Sequence, residues 1–293
     1  MTATPDFLAD FLATPTRLQP LRGEPWAGRV FMKREDERDA LLGGNKWCKL
    51  AGHLAAASAL GQRRLLSVGG MWSNHLHALA HAGQRYGFAT TALVRGEAMT
   101  PMLQEAVAAG MQIEFVAREE YRQRGEAQWQ AAVARRHGAY FIPEGGAGVA
   151  GQQGVNALAQ EICQQLPDDG QPLYLAVPVG SGTTLSGLRA ALPQRIHLLG
   201  FPAFADAALH RQLATLAPLH DTLGMRQHRV LPAVLREFQQ DFEQAQGIPL
   251  DPVYTVRMMQ RLSLMLAELP GKVVALHTGG LQGRRGHLLP QAA

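Results

Sequence analysis

Lys46 is the residue of this sequence with the clearest chemical potential. The chain carries 28 lysines and arginines together, and only four of them are lysines. Lys46 follows two glycines in the segment LLGGNKWCKL, at the predicted start of a helix. A primary amine forms a Schiff base with an aldehyde, whereas the guanidinium of arginine stays protonated at any working pH. Lys46 is therefore the candidate reactive amine of the chain.

The other lysines have simpler interpretations. Lys33 lies in the apolar run RVFMKRED and Lys272 opens the strand pattern KVVALHTGG, so both are predicted to be solvated. Lys49 follows Lys46 by close to one helical turn and shares its face unless Lys46 belongs to the preceding loop. Cys48, two residues beyond Lys46, is expected to be a buried packing residue. Whether Lys46 is reactive has to be judged from neighbouring motifs.

Composition favours a globular enzyme. The 293 residues are 46% hydrophobic, which is enough for a large core. The net charge is +4, but the basic residues form no continuous block, so nucleic-acid binding is not expected. No apolar stretch reaches the roughly 18 residues of a membrane span, and the acidic N-terminus does not have the pattern of a signal peptide. Two distant cysteines do not suggest a disulfide or zinc framework, so we expect a cytoplasmic protein.

Short β-rich runs alternate with longer helical patterns, which is typical of parallel sheets covered by helices. The predicted strands are Val30–Lys33, Arg64–Val68, Ala89–Val94, Gln112–Val116, Tyr140–Ile142, Leu173–Val177, His197–Phe201 and Val273–His277. The predicted helices are Lys46–Leu60, Asn74–Tyr86, Met102–Ala109, Glu119–His137, Gln152–Gln165, Thr183–Ala191, Leu231–Gln246 and Pro252–Leu269. We predict an α/β protein with two open parallel-sheet domains: a larger one from residues 1–48 and 151–293, and a smaller one from 49–150, with the seam in the glycine-rich segment Pro143–Gly154.

Ligands of open α/β sheets bind beyond the carboxyl ends of the strands, so the turns after strands are where a site is expected. One such turn, in SVGGMWSNH, carries Ser73, Asn74 and His75 at a helix start. A serine or asparagine here can be a simple N-cap. The same pair can also present a hydroxyl and an amide to a ligand.

A second turn, in VPVGSGTTLSGL, has the features of a phosphate site. The segment consists of Gly180, Ser181, Gly182, Thr183 and Thr184, at the head of a helix. Backbone N–H groups, hydroxyls and the helix dipole converge there. The spacing matches neither a nucleoside-triphosphate loop nor the dinucleotide fingerprint. An ordinary strand-to-helix turn is the alternative.

The third turn, in ALHTGGLQG, places Thr278 after the last predicted strand. The preceding segment DPVYT places Tyr254 and Thr255 at a helix start, with Pro252 suited to the first turn. Pyridoxal phosphate requires a reactive lysine, a phosphate-binding turn and polar residues at strand ends. Its aldehyde reacts with the amine of the lysine, and its phosphate binds to the turn.

These motifs resemble the fold-type-II pyridoxal-phosphate enzymes that include D-cysteine desulfhydrase and 1-aminocyclopropane-1-carboxylate deaminase. The segment KREDERDALLGGNKWCKL resembles the family's lysine segment, SVGGMWSNH its ring-contacting turn, PEGG its inter-domain segment, DPVYT its tyrosine segment and HTGG its closing turn. The matches run in family order from about residue 30 to residue 286. The resemblance implies a tryptophan synthase β-like fold, pyridoxal 5'-phosphate, a small amino-acid substrate and a homodimer.

The resemblance also implies cofactor contacts. Lys46 would hold the cofactor as a Schiff base, and Asn74 would bond its phenolic oxygen. The segment from Gly180 to Thr184 would anchor the phosphate. Either Thr278 or Thr255 would face the pyridine nitrogen.

The implied substrate contacts lie close by. Lys46 would exchange the proton at the substrate α-carbon, and Ser73 would contact the substrate carboxylate or share in proton handling. Asn74 and His75 would complete that wall, and Tyr254 would approach from the other side of the ring. The predicted catalytic residues are therefore Lys46, Ser73 and Tyr254.

The residue type near the pyridine nitrogen bears on the reaction. In the family, deaminases have Glu after the tyrosine and Leu before the closing glycines, and desulfhydrases have small hydroxyl residues there; this chain has Thr255 and Thr278. A neutral hydroxyl keeps the nitrogen protonated far less than a carboxylate does. This favours β-elimination of thiolate from D-cysteine, giving pyruvate and ammonia. Opening of 1-aminocyclopropane-1-carboxylate, cofactor binding without turnover, and a phosphate-ligand binder without pyridoxal are the alternatives.

Some residues depart from the family pattern. The family's second tyrosine is missing from HDTLGMRQHRVLP, where Arg226 or His228 would stand in. Ala147-Gly148-Val149 occupies a loop where a polar residue is expected. His77 and His81 have metal-ligand spacing, but they lack the glutamate of a zinc hydrolase motif, and no metal is expected.

Overall fold

The structure is a computed structural model that describes residues 6–166, 170–222 and 231–288. Its strands are β1 Leu18–Pro20, β2 Val30–Arg34, β3 Arg64–Gly70, β4 Ala89–Arg95, β5 Gln112–Val116, β6 Tyr140–Ile142, β7 Leu173–Val179, β8 Ile196–Pro202 and β9 Lys272–His277. Its α-helices are α1 Phe7–Leu12, α2 Gly44–Ala59, α3 Asn74–Tyr86, α4 Pro101–Ala108, α5 Arg118–Arg122, α6 Ala127–His137, α7 Val149–Gln165, α8 Thr183–Ala191, α9 Ala207–Ala214, α10 Ala233–Gln246, α11 Thr255–Met265 and α12 Arg285–Leu288.

The strands form two sheets. The five-stranded sheet has the order β1-β2-β9-β7-β8 and is parallel except for β1, which pairs antiparallel with β2. The four-stranded sheet has the order β5-β4-β3-β6 and is parallel throughout. The predicted α/β class with parallel sheets is confirmed. The four-stranded sheet comes from residues 64–142, and strands from both ends of the chain meet in the other sheet; the division into domains stays a prediction.

Helices α2 and α7 pack so closely that their backbones touch. A β-carbon on Gly52 would stand 2.0 Å from the carbonyl oxygen of Ala150, and one on Gly154 would stand 1.9 Å from that of Cys48. Glycine removes the side chains that would hold two helices farther apart. The second half of the predicted seam is therefore helical, and its glycines allow the helix that carries Lys46 to lie directly against α7.

Lys33 is not solvated, and the prediction for it is wrong. Its side chain is fully buried, forms a salt bridge with Glu161 and donates to the carbonyl oxygen of Thr16 at 2.7 Å. Arg38 joins the same cluster through Glu161 and through Glu35, whose Oε2 lies 2.8 Å from Arg38 Nε. The partner Glu161 lies 128 residues further along the chain, on α7, so no local pattern shows that the charge of Lys33 is compensated. Lys272 is half-buried.

Some predicted elements differ from the structure. The single helix predicted over Glu119–His137 is wrong, because the chain forms α5, a 3-10 turn over Gln123–Gly125 and then α6. The helix predicted from Pro252 begins at Thr255 instead. The short elements β1, α1 and α9 had no predicted counterpart. No helix within the described ranges is long and apolar enough to cross a membrane.

Candidate active site

A cleft of about 1500 Å³ opens where strands of both sheets end. It is bordered by the turns after β3, β7 and β9, which are the three turns singled out in the sequence. The side chains that border it include Lys46, Ser73, Asn74, Tyr254 and Thr278. Residues as far apart in the sequence as Lys46 and Thr278 therefore meet at the ends of parallel strands, as the rule for open α/β sheets predicts.

Lys46 lies in the first turn of α2 and reaches into the cleft. Its Nζ donates to Asn45 Oδ1 at 2.8 Å, and Asn45 Nδ2 donates to Thr184 Oγ1 at 2.9 Å. Burial lowers the pKa of Lys46 from its ordinary value. A lowered pKa increases the neutral fraction of the amine, which is the form that attacks a carbonyl. Sequence reasoning missed Asn45, and its position beside Lys46 in GGNK was the available signal.

The turn before Lys46 is held against the turn after β9. Gly44 has φ +46°, and a β-carbon there would stand 2.2 Å from the carbonyl oxygen of Thr278. Asn45 N also donates to that oxygen at 3.3 Å. Two glycines, Gly44 and Gly279, permit this approach, since a β-carbon on Gly279 would stand 3.0 Å from Gly44 Cα. Thr278 is thereby fixed beside the start of α2.

The segment Gly180–Thr184 forms a turn with hydroxyl groups and a helix N-terminus. Gly182 caps α8 with φ +78°, a left-handed conformation that glycine adopts at little cost. Ser181 Oγ and Thr183 Oγ1 lie 3.0 Å apart. All five residues of the segment border the cleft. Free backbone donors and the positive end of the helix dipole suit a phosphate group there.

Ser73, Asn74 and His75 begin α3 at the edge of the cleft. Ser73 is the N-cap, and its Oγ accepts from Leu76 N at 3.3 Å. Asn74 Oδ1 is buried without a hydrogen-bond partner in the described ranges. His75 Nε2 lies 2.9 Å from the hydroxyl of Ser67, which donates to a backbone carbonyl, so His75 Nε2 is the donor and Nδ1 has a free lone pair. Burial lowers the pKa of His75 well below its ordinary value, so the ring is neutral.

Tyr254 lies on the opposite wall. The centroid of its ring lies 5.9 Å from Lys46 Nζ. The ring also packs edge-on against Phe204, with 5.7 Å between the two ring centroids. Burial, with help from the charge of Asp251, raises the pKa of the Tyr254 hydroxyl, so this group stays protonated. A protonated phenol beside the reactive amine can donate a proton or a hydrogen bond.

Thr255, in contrast, does not border the cleft. It is fully buried, and its hydroxyl donates to Asp251 Oδ2 at 2.6 Å. The other carboxylate oxygen of Asp251 accepts from Val253 N and Tyr254 N. Both carboxylate oxygens of Asp251 therefore accept hydrogen bonds from residues at the start of α11. Of the two threonines, Thr278 is the one that faces the cleft.

Lys49 is a cleft residue to which the sequence analysis gave no role. It is 4% exposed, borders the cleft and lies one turn after Lys46. Burial, and then repulsion from Lys46, lowers the pKa of Lys49 to about 7. A cation at this place would be stabilised by an anionic ligand. Its spacing from Lys46 was the signal available in the sequence.

Pyridoxal phosphate fits these residues. Lys46 offers a buried amine for its aldehyde, and the segment Gly180–Thr184 offers donors for its phosphate. The buried Oδ1 of Asn74, which has no partner in the described ranges, offers an acceptor for its phenolic hydroxyl. When bound, the cofactor supplies an electron sink that makes the α-proton of an amino acid easier to remove. The two sheets and this site define a pyridoxal-phosphate enzyme.

Comparison with known proteins agrees: the chain belongs to the family of pyridoxal-phosphate dependent enzymes, whose model matches residues 10–227. The structure is similar to that of an ACC deaminase homologue, with a TM-score of 0.74, 25% identity and 96% of each chain covered. The sequence is 26% identical to a bifunctional D-cysteine desulfhydrase/1-aminocyclopropane-1-carboxylate deaminase of Arabidopsis thaliana, over 93% of this chain and 77% of the relative. It is 37% identical to nocardicin C-9' epimerase of Nocardia uniformis, over 62% of this chain and 58% of that protein.

Three other predictions concern residues near the site. Arg226 and His228 lie outside the described residues. His77 and His81 have ring centroids 4.5 Å apart, and His77 Nε2 lies 3.1 Å from Glu105. Within the described ranges, no group of three or more His, Cys, Asp or Glu side chains is arranged to hold a metal ion. Cys48 is buried, its thiol donates to the carbonyl oxygen of Asn45 at 3.2 Å, and burial raises its pKa to about 12.

Proposed function

We propose that this protein catalyses β-elimination on a small amino acid, with D-cysteine as the reference substrate. D-Cysteine and water would give pyruvate, ammonia and hydrogen sulfide. The observation that carries the choice of reaction is Thr278, a neutral hydroxyl at the end of β9 that faces the cleft. The carboxylate of Asp251 also borders the cleft, but its oxygens accept hydrogen bonds from the start of α11. A neutral hydroxyl in place of a carboxylate at the end of β9 suits elimination, which needs a shallower electron sink.

Each side chain has a role that follows from its surroundings. Lys46, with a lowered pKa, removes the α-proton and can return it to another atom. Ser73 and Asn74 bind the substrate carboxylate at the start of α3, where the helix dipole favours an anion. Tyr254 donates from the opposite wall, because its hydroxyl stays protonated. Lys49 would pair with an anionic group bound in the cleft, which would restore its positive charge.

The test is a substrate panel on cofactor-loaded protein. D-Cysteine, L-cysteine, D-serine and 1-aminocyclopropane-1-carboxylate are supplied separately, and keto acid, ammonia and sulfide are measured. We expect pyruvate and sulfide in equal amounts from D-cysteine. 2-Oxobutyrate from the cyclopropane substrate would instead support the deaminase, which the similarity to an ACC deaminase homologue favours.

Two further outcomes would support a different function in place of elimination. An amino acid that keeps its β-substituent but changes its α-configuration would indicate epimerisation, and chiral chromatography of the remaining substrate detects it. A coloured protein that changes none of the amino acids would indicate cofactor binding without turnover.

Lys46→Ala should abolish both the borohydride-sensitive absorbance of the bound cofactor and turnover. Lys272→Ala, a lysine outside the cleft, is the matched control and should keep both. The homodimer implied by the family resemblance and the cytoplasmic location expected from composition are part of this proposal, and size-exclusion chromatography with light scattering tests the first.

A further inference from the structure

Three arginines border the cleft on the side of the four-stranded sheet. Arg95 ends β4, Arg118 begins α5, and Arg124 lies in the 3-10 turn that follows; we call these three residues the arginine wall. Tyr121, only 4% exposed, lies between two of them. The guanidinium carbons of Arg95 and Arg124 lie 5.0 and 4.6 Å from the centroid of its ring. Cations are attracted to an aromatic face, so Tyr121 holds both guanidinium groups in place.

The charges of the arginine wall are only partly compensated. Arg124 Nε lies 2.6 Å from Glu144 Oε2, and Asp206 also raises the pKa of Arg124. Arg95 and Arg118 form no ion pair with any residue that the structure describes. Glu97 also borders the cleft, two residues beyond Arg95, and is not paired with either arginine. Two guanidinium groups are therefore available for an anionic ligand.

The position of the arginine wall relates it to the substrate. Arg95 Nη2 lies 3.8 Å from the point where a β-carbon of Gly70 would stand, and Gly70 opens the turn that leads to Ser73. At the other end of the arginine wall, Glu144 is close enough to Tyr254 to raise the pKa of its hydroxyl. The arginine wall thus extends from the turn assigned to the substrate carboxylate toward the tyrosine assigned to the reacting atoms.

D-Cysteine leaves this part of the cleft unused. Its thiol is small and carries no fixed charge, whereas the cleft has a volume of about 1500 Å³ and is bordered by two arginines that have no ion-pair partner among the described residues. Guanidinium groups bind carboxylates and other oxyanions with directed hydrogen bonds. A substrate with an acid at the end of its β-substituent would use both features.

We propose that the arginine wall binds a negatively charged group carried by the β-substituent of the substrate, so that the preferred substrates are S- or O-substituted amino acids with an acidic leaving group. This inference rests on the proposed elimination. For S-carboxymethylcysteine, the Cα–H and Cβ–S bonds break, the thiolate takes a proton, and one water is consumed. The products are pyruvate, ammonia and thioglycolate.

The test compares two substrates that differ by one charge, S-carboxymethylcysteine and its neutral amide S-carbamoylmethylcysteine, each as both enantiomers. Binding to the holoenzyme is measured from the change in cofactor absorbance, and turnover from keto acid release. We expect the wild type to bind the acid about tenfold more tightly than the amide, which corresponds to one charge-assisted contact. Arg95→Gln and Arg118→Gln should each reduce that preference severalfold and leave binding of the amide unchanged.

Arg95→Lys keeps the charge and should keep part of the preference. Arg122→Gln is the matched control, because Arg122 is an exposed arginine of α5 that does not border the cleft. Equal binding of acid and amide by the wild type, or an unchanged preference in both glutamine variants, would overturn the inference.

The two proposals fail separately. Keto acid release without discrimination between acid and amide would leave elimination standing and remove the role of the arginine wall. Discrimination that depends on the arginines, without release of keto acid, would support binding of the acid by the arginine wall and would contradict the proposed elimination.

Discussion

Gly44 and Thr278 meet through their backbones at the point where α2 begins, and a β-carbon on Gly44 would stand 2.2 Å from the Thr278 carbonyl oxygen. Gly44→Ala should therefore separate Lys46 from the turn after β9. We expect loss of the borohydride-sensitive cofactor absorbance together with a lower melting temperature.

The matched control is Gly61→Ala. Gly61 also has a positive φ, of +67°, but has no atom within contact distance of a β-carbon. Its alanine variant should lose about 1 kcal/mol of stability from backbone strain and keep the cofactor. Similar behaviour of the two variants would show that the contact with Thr278 does not position Lys46.

Asn45 joins Lys46 to Thr184 by two hydrogen bonds of 2.8 and 2.9 Å. Asn45→Ala should let the amine take several orientations, and poor orientation of a reacting group costs roughly 10- to 100-fold in rate. Turnover and the rate of cofactor incorporation are measured side by side. Asn156→Ala changes an exposed asparagine of α7 and should match the wild type. Full activity of Asn45→Ala would contradict the positioning role.

Lys49 makes stability depend on pH in the protein without cofactor. Its pKa is about 7 when folded against an ordinary 10.5, so between these values the unfolded chain binds more protons than the folded one. Stability should therefore rise with pH across this window. Lys49→Met should reduce the slope by up to one proton, about 1.4 kcal/mol per pH unit. Urea unfolding at several pH values measures it, Lys272→Met is the control, and an unchanged slope would contradict the burial of this charge.

Thr278 and Thr255 should respond differently to replacement by valine. Thr278→Val should change the absorbance of the bound cofactor and the rate of turnover, because Thr278 borders the cleft. Thr255→Val should cost about 1–3 kcal/mol of stability, because Asp251 then loses a buried donor. Absorbance titrations and thermal unfolding separate the effects. The opposite pattern would assign the pyridine nitrogen to Thr255.

The buried cluster around Lys33 should be sensitive to loss of one partner. Lys33→Met leaves Glu161 with one cation fewer, and breaking a buried pair costs about 3–5 kcal/mol. The pKa of Glu161 is held below its ordinary value, so its contribution is present near neutral pH and is lost as the pH falls through that lowered pKa. Arg136→Met removes an exposed pair with Glu114 and should change denaturant stability far less. Equal losses of stability in Lys33→Met and Arg136→Met would contradict the burial of the ion pair between Lys33 and Glu161.

Much of the site was predictable because it lies in local patterns. The sequence around Lys46, the turn at Gly180 and the start of α3 each carry glycines or caps whose meaning is local, and the structure gathers these three segments at one cleft. The partners of Lys33 and the stacking of Arg95 on Tyr121 were not predictable in this way. They join residues that are distant in sequence, and no period or motif marks such contacts.

The burial of Lys33 also affects how the exterior of the protein reacts. With Lys33 in the ion cluster and Lys46 and Lys49 in the cleft, Lys272 is the one lysine outside both. Free aldehydes in solution thus meet a surface almost without ε-amines on which to form adducts. Arginine supplies nearly all of the outer positive charge, so a reagent directed at ε-amines has few targets outside the cleft.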